Sequence, residues 1–324
     1  MISVNQRAAA IVRQMIDDSE ALGLEVIQLG NGATLVDAGI ETPGSYEAGR
    51  LFACACMGGL GQVGFTHQVF GSDGSDQESR FWLPAVSVTV ARPHIACMAS
   101  QYAGWAIKLG RFFAIGSGPA RALYVGEELY GRLEYRDHAQ TGVLMLEGRE
   151  LPGEEVAGFI AEKCGIGPED LALLIAPTAS IAGSVQIAAR SAETGLHKLS
   201  ELGFDTRRVT AASGECPLAP PAADDLRAIG RTNDAILYGA RVFYTVRAED
   251  AEIAALIEKV PSIGSRDYGA PFYELFMRHN GDFYQIDPLL FSPAEVAIHN
   301  LNSGRTFRAG RVNPSLLKSS LLES

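Results

Sequence analysis

The chain has 324 residues, 47% hydrophobic and 20% charged, the balance of an ordinary globular enzyme built as one large domain or two smaller ones. Its net charge of −11, with no Lys/Arg-rich block, argues against nucleic acid as a partner. No apolar run approaches the ~18 residues of a membrane span and the five cysteines leave no even disulfide framework, so a cytoplasmic location is expected.

Met1 to Leu22 reads as an amphipathic helix with Val4, Ala8, Ile11, Val12 and Met15 inward, not as a signal peptide. Val26 to Val36 reads as a hairpin turning at Gly30-Asn31-Gly32. Gly49 to Met57 is apolar and fits either helix or strand. Gly59-Leu-Gly61-Gln-Val-Gly64 spells the dinucleotide fingerprint. That fingerprint needs a helix to open within it, whereas the strand formers Phe65 to Phe70 follow, so a turn is expected and a nicotinamide or flavin is not. A loop over Gly71 to Glu78, a strand over Phe81 to Val90 and a helix over Ile95 to Leu109 come next.

Phe112 to Ile115 is short and strand-like and leads into Gly116-Ser-Gly-Pro-Ala-Arg121. Two glycines permit a concave backbone, Pro119 suits a helix start, and Arg121 adds a charged donor. Ser117, Gly118 and Arg121 therefore read either as an anion-binding nest or as a plain strand-to-helix turn. A strand over Gly142 to Glu147, a helix over Glu154 to Cys164 and a strand over Leu171 to Ile175 follow.

Pro177, Thr178 and Ser180 supply turn chemistry and an N-cap, and from Ile181 the pattern is helical to a C-cap at Gly203. At about 100° per residue, Ile181, Val185, Ala188, Ala192, Leu196 and Leu199 gather on one side. Gln186, Arg190, Glu193 and His197 fall within an arc of roughly 60° on the other, beside Gly183. Arg190 and Glu193 stand at i and i+3, which fits a surface ion pair worth a few tenths of a kcal/mol or the lining of a site. The narrowness of the stripe and the wealth of Ala, Ser and Gly suit close packing better than open surface, but spacing alone does not decide.

Beyond it, Arg207 to Ala212 reads as extended, Ser213 to Ala223 as a Pro-rich loop and Ala235 to Arg247 as a long strand. Ala248 to Lys259, Pro271 to His279, Pro293 to Leu301 and Pro314 to Leu322 read as helices. This irregular alternation favours an α+β or mixed α/β fold with largely antiparallel sheets over a doubly wound parallel one. No linker interrupts 1–324, which reads as a single unit of two interwoven structural domains. Cys54-Ala-Cys56 with His67 lacks zinc-site spacing and the other histidines (His94, His138, His279, His299) are scattered, so no metal is expected.

Taken together, these segments resemble the methenyltetrahydromethanopterin cyclohydrolase family. The likeness rests above all on Ala176 to Leu199, with Pro43-Gly-Ser-Tyr-Glu-Ala-Gly49, Cys56-Met-Gly-Gly-Leu-Gly61, Ser100-Gln-Tyr-Ala-Gly-Trp105, Gly116 to Arg121 and Ser292-Pro-Ala-Glu-Val296 in the family's order. The resemblance implies a cytoplasmic hydrolase of one-carbon metabolism, without metal or cofactor, that interconverts the methenyl and N5-formyl forms of tetrahydromethanopterin. It also implies two α/β-type domains with a large ligand pocket between them, assembled as a homotrimer, and a catalytic pair at Arg190 and Glu193. On that reading Glu193 is the general base for water and Arg190 orients it. Gln186 and His197 contact the pterin or the water, or stand behind them, and Ser117, Gly118 and Arg121 hold a polar part of the ligand tail. A cyclohydrolase acting on a related folate and a non-catalytic pterin-binding protein are the alternatives.

Overall fold

The computed structural model describes residues 2–71, 80–279 and 285–323; the loop expected over Gly71 to Glu78 lies, apart from Gly71, outside them. In chain order the elements are α1 (Val4–Asp17), α2 (Ser19–Leu22), β1 (Glu25–Gln28), β2 (Thr34–Asp37), α3 (Tyr46–Cys56), β3 (Gly61–Phe70) and β4 (Phe81–Ala91). A π-helix at His94–Gln101 precedes β5 (Trp105–Leu109), β6 (Phe112–Ser117), α4 (Arg121–Tyr124), α5 (Tyr130–Leu133), β7 (Gly142–Gly148), α6 (Glu154–Cys164) and β8 (Leu171–Ile175). Then come α7 (Ile181–Ala188), α8 (Ser191–Glu201), β9 (Val209–Pro217), α9 (Asp225–Gly239) and β10 (Arg241–Val246). The chain finishes with α10 (Asp250–Leu256), α11 (Phe272–Arg278), β11 (Glu295–Asn300), β12 (Thr306–Gly310) and α12 (Pro314–Leu322).

The chain divides into two compact units, 1–62 with 94–186 and 63–93 with 187–324. The first holds a six-stranded sheet in the order β1-β2-β8-β7-β6-β5. Its centre, β2, β8 and β7, is parallel, while β1, β6 and β5 pair antiparallel. Both faces are covered: Leu144, Leu146 and Leu173 pack with Ile160 of α6, and Val143, Met145 and Leu174 with Val12 of α1 and Phe52 of α3. Full coverage explains why β7 and β8 read as unbroken apolar runs instead of alternating ones. The second unit holds a six-stranded sheet, β12-β11-β10-β9-β4-β3, in which β10 and β11 are parallel while the β11–β12, β9–β10 and β4–β9 pairs are antiparallel. The mixed, largely antiparallel architecture expected from the sequence is the one observed.

Several expected elements differ. Ile95 to Leu109, read as one helix, is the π-helix followed by β5, with the change falling around Gly104. Ala235 to Arg247, read as a strand, is the end of α9 and then β10; its first half is helical because Asp224 caps α9, accepting the Arg227 N–H at 2.9 Å. Pro293 to Leu301, read as a helix from its leading proline, is β11, with Val296, Ile298 and Asn300 buried in alternation and paired in register with β10. The loop read over Ser213 to Ala223 begins as strand, since β9 runs to Pro217.

One buried acid ties three helices of the second unit together. Asp234 of α9 accepts hydrogen bonds from the Ser320 hydroxyl of α12 and, at 2.8 Å, from the Phe272 N–H that opens α11. Burial lifts its carboxyl to about 7, with nearby Glu274 pushing the same way and the two hydrogen bonds pulling back. An acid whose folded pKa exceeds its unfolded value of about 3.9 binds more protons in the native state. Its contribution is therefore complete below pH 4 and is lost as pH rises through 7. Asp234→Asn keeps an acceptor for Phe272 and cannot ionise. Comparing urea midpoints from pH 5 to 8, we expect the variant to gain on the wild type by about 2–4 kcal/mol. Parallel profiles would remove the assignment.

Candidate active site

The helix expected from Ile181 onward is interrupted. α7 ends at Ala188 and α8 begins at Ser191, so the 100° count does not carry across Ala189 and Arg190. Arg190 becomes the N-cap of α8, at φ −84° and ψ 0°, and its carbonyl accepts the Thr194 hydroxyl and the Thr194 N–H, each at 2.8 Å. Glu193 lies in the first turn of α8, where the helix dipole favours an anion. A cation there is opposed by the same dipole, so Arg190 is accounted for by its partner and not by the helix.

Two glycines let α8 lie close on the second unit's sheet. A Cβ on Gly214 in β9 would fall 2.5 Å from the Ser191 Oγ, and one on Gly195 of α8 would fall 2.4 Å from the Tyr244 hydroxyl. Tyr244, on β10, donates that hydroxyl to the Ala192 carbonyl at 2.7 Å. Two turns along the helix, buried Lys198 donates to the Leu289 carbonyl, and burial lowers its ammonium to about 8 against the pull of Asp287. The first turn is thus fixed by packing from the sheet and by a tether one to two turns on. Lys198 had no signal in the sequence beyond falling on the same side of the helix as Ser191 and Gly195.

On that fixed turn the Arg190 guanidinium Nη1 stands 3.8 Å from the Glu193 carboxylate Oε2, with side-chain exposures of only 10% and 7%. The solvated ion pair that spacing alone allowed is not what forms. His197 is placed differently: its side chain is 31% exposed and its Nε2 lies 3.9 Å from Glu201 Oε1, one turn down the helix. Gln186 is buried on α7, in the first unit.

In the 116–121 segment the backbone donors expected to line a nest have partners within the fold, as in a plain turn. The Gly118 N–H donates to the Ser100 carbonyl at 2.7 Å, Ala120 to Val143 at 2.9 Å and Arg121 to Gly118 at 3.2 Å, so these donors are spent inside the backbone. The Arg121 side chain is wholly buried, with Nε and Nη2 on Glu127 at 2.8 and 2.6 Å and Nη1 on the Met98 and Ser100 carbonyls at 3.2 and 2.9 Å. It holds the fold and has no guanidinium edge to offer a ligand. Ser117 is buried on β6 with its hydroxyl 3.4 Å from the Cys56 sulfur. Among the described residues no group of three or more His, Cys, Asp or Glu side chains is arranged to hold a metal, and no helix is long and apolar enough to cross a membrane.

A family model described as cyclohydrolase (MCH) matches residues 3–321. The chain is 44% identical to the methenyltetrahydromethanopterin cyclohydrolase of Methanocaldococcus jannaschii over 324 residues, covering 99% of this chain and 98% of that one. It is 44% identical to the enzyme of that name from Methanothermobacter marburgensis, covering 99% of both chains. To the one from Methanospirillum hungatei it is 45% identical, covering 98% of both.

Proposed function

Since the chain belongs to the methenyltetrahydromethanopterin cyclohydrolase family, we propose that it opens the methenyl bridge of the pterin with Glu193 as general base and Arg190 as its orienting partner. The observation that carries this reading is the burial of that pair on the first turn of α8. A buried ion pair pays a desolvation penalty that a surface pair avoids and is weak evidence for stability, so its retention on a rigid turn supports a chemical use.

The chemistry asks for little more. The methenyl carbon lies between two nitrogens and shares their positive charge, so the substrate brings its own electrophile. Water attacks that carbon while Glu193 takes one of its protons, leaving a neutral hydroxyl adduct. Glu193 then returns its proton to the second nitrogen as the carbon–nitrogen bond breaks. The hydroxyl proton departs as the formyl C=O forms, which is the one proton released overall. An anionic Glu193 also stabilises the cation it faces, and Arg190 fixes the carboxylate so that no reorganisation is needed at the moment of attack. Burial favours Glu193 over the half-exposed His197 as the base, because a base shielded from bulk water can hold a single ordered one.

The reading includes the cytoplasmic, trimeric and cofactor-free form that the resemblance implies; sedimentation of the purified chain checks the assembly. For the reaction, purified protein is mixed with methenyltetrahydromethanopterin and the loss of the methenyl absorbance is followed. Turnover unaffected by a chelator is expected. Tight binding with no turnover would convert the reading to that of a pterin-binding protein.

A further inference from the structure

In the first unit, β7 and β8 are parallel neighbours that end side by side and whose continuations leave in opposite directions. β7 passes to α6, whose Ala157 and Ile160 pack on the face lined by Leu144 and Leu146. β8 passes to α7, whose Ala182 packs on the other face with Val143 and Met145. Diverging loops at the carboxyl ends of parallel strands leave a crevice, the place where α/β sheets take ligands.

Side chains alternate along β7, so Glu147 follows Val143 and Met145 onto the α7 face, and Thr178 stands in the turn that leads from β8 to α7. The two meet there, the Thr178 hydroxyl donating to one oxygen of Glu147. The Glu147 side chain is half-buried and makes no other hydrogen bond or ion pair among the described residues. A carboxylate steadied on one oxygen retains lone pairs on both, an acceptor–acceptor pair of fixed direction. Its complement is a planar edge carrying two adjacent N–H donors. A pterin has such an edge, a ring N–H beside an exocyclic NH2.

We propose that Glu147, positioned by Thr178, binds the aminopyrimidinone edge of the pterin, an inference that rests on the pterin reading above. It gives the first unit a recognition role through a residue that lies outside the sequence motifs carrying the family likeness. A charge-assisted pair of hydrogen bonds from a preset carboxylate is the kind of contact that discriminates sharply against an analogue lacking one donor.

The test measures dissociation constants for two fragments, pterin and pteridin-4-one, which lacks the 2-amino group, using the full chain. The wild type is expected to prefer pterin by about 10–100-fold. Glu147→Gln replaces one acceptor with a donor of the same shape, and it should lose that factor on pterin and bind the two fragments alike. Thr178→Val should weaken pterin by about threefold to tenfold while keeping the preference, since the carboxylate remains. The ratio within one variant does not depend on how much of it is folded. Glu147→Gln retaining the wild-type preference overturns the proposal, as does an equal loss of both fragments, which a packing role would give. If that happens while the wild type still hydrolyses the methenyl substrate, this inference alone fails. If the wild type neither hydrolyses the substrate nor binds pterin, the pterin reading itself fails.

Discussion

Glu193→Gln is expected to lower kcat by about 10²–10⁴-fold, the usual range for removing a positioned general base. The substitution keeps the size and planarity of the side chain but removes its charge and its ability to take a proton, so the fold should persist while the cationic methenyl form binds more weakly than the neutral formyl form. The change in pH dependence is the sharper signature. On the proposed mechanism wild-type turnover should carry an acidic limb that the variant, with no carboxylate at 193, lacks. Arg190→Ala is a different experiment. It leaves a carboxylate with 7% side-chain exposure without its cation, which costs stability as well as rate. Arg190→Lys restores the charge but not the planar fork, so a partial recovery of rate with full recovery of stability would mark orientation as the guanidinium's contribution. Near-wild-type kcat in Glu193→Gln would leave Arg190–Glu193 as a structural pair and reopen the place of His197.

How far the sequence foretold this site depends on which physical property is asked about. The i, i+3 spacing of Arg190 and Glu193 was legible, and so was the strand that leads toward them, because β8 starts and stops where its apolar run does. Their burial was not, since the turn that carries them packs against Gly214 of β9 and Tyr244 of β10, which are distant in sequence and lie in segments read as loop and as part of an over-long strand. The break at Ala189 and Arg190 was equally invisible, because an Ala-rich run carries no local stop signal. β11 shows the same limit: its Pro293 and Glu295 look like a helix start, and pairing with β10 overrides that preference. Glu147 had a weak signal, an acid closing an apolar strand. What makes it notable is Thr178, thirty-one positions later, and that pairing follows only from the parallel register of β7 and β8.

Arg121→Met is expected to destabilise the protein by about 3–5 kcal/mol, the range for removing one partner of a buried ion pair. Arg121 is fully buried and Glu127 15% exposed at the side chain, with bonds of 2.6 and 2.8 Å between them. The loss reaches further than the pair. Met98 and Ser100, whose carbonyls receive Nη1, lie in the last turn of the π-helix at His94–Gln101, and between them the Ala99 carbonyl takes the Tyr130 hydroxyl at 2.6 Å. Carbonyls at a helix end have no partner within the helix, so these side chains serve as its cap. Arg121 also lies 5.2 and 5.6 Å from the ring centres of Tyr102 and Tyr130, which adds a cation–π attraction. Met fills much of the volume and offers none of these donors, so it strips charge, cap and ring contact at once while sparing the packing. Glu127→Gln alone should cost less, because Arg121 keeps its two carbonyls. In the double variant no unpaired carboxylate remains, so its loss should fall short of the sum by about 2 kcal/mol or more. Urea midpoints of the four proteins give that coupling directly. A strict sum, or an Arg121→Met cost below about 1 kcal/mol, would show that Arg121 is not the clamp its geometry describes. Phosphate binding by the wild type that disappears in a still-folded Arg121→Met would bring back the anion nest that the backbone hydrogen bonds of Gly118 and Ala120 argue against.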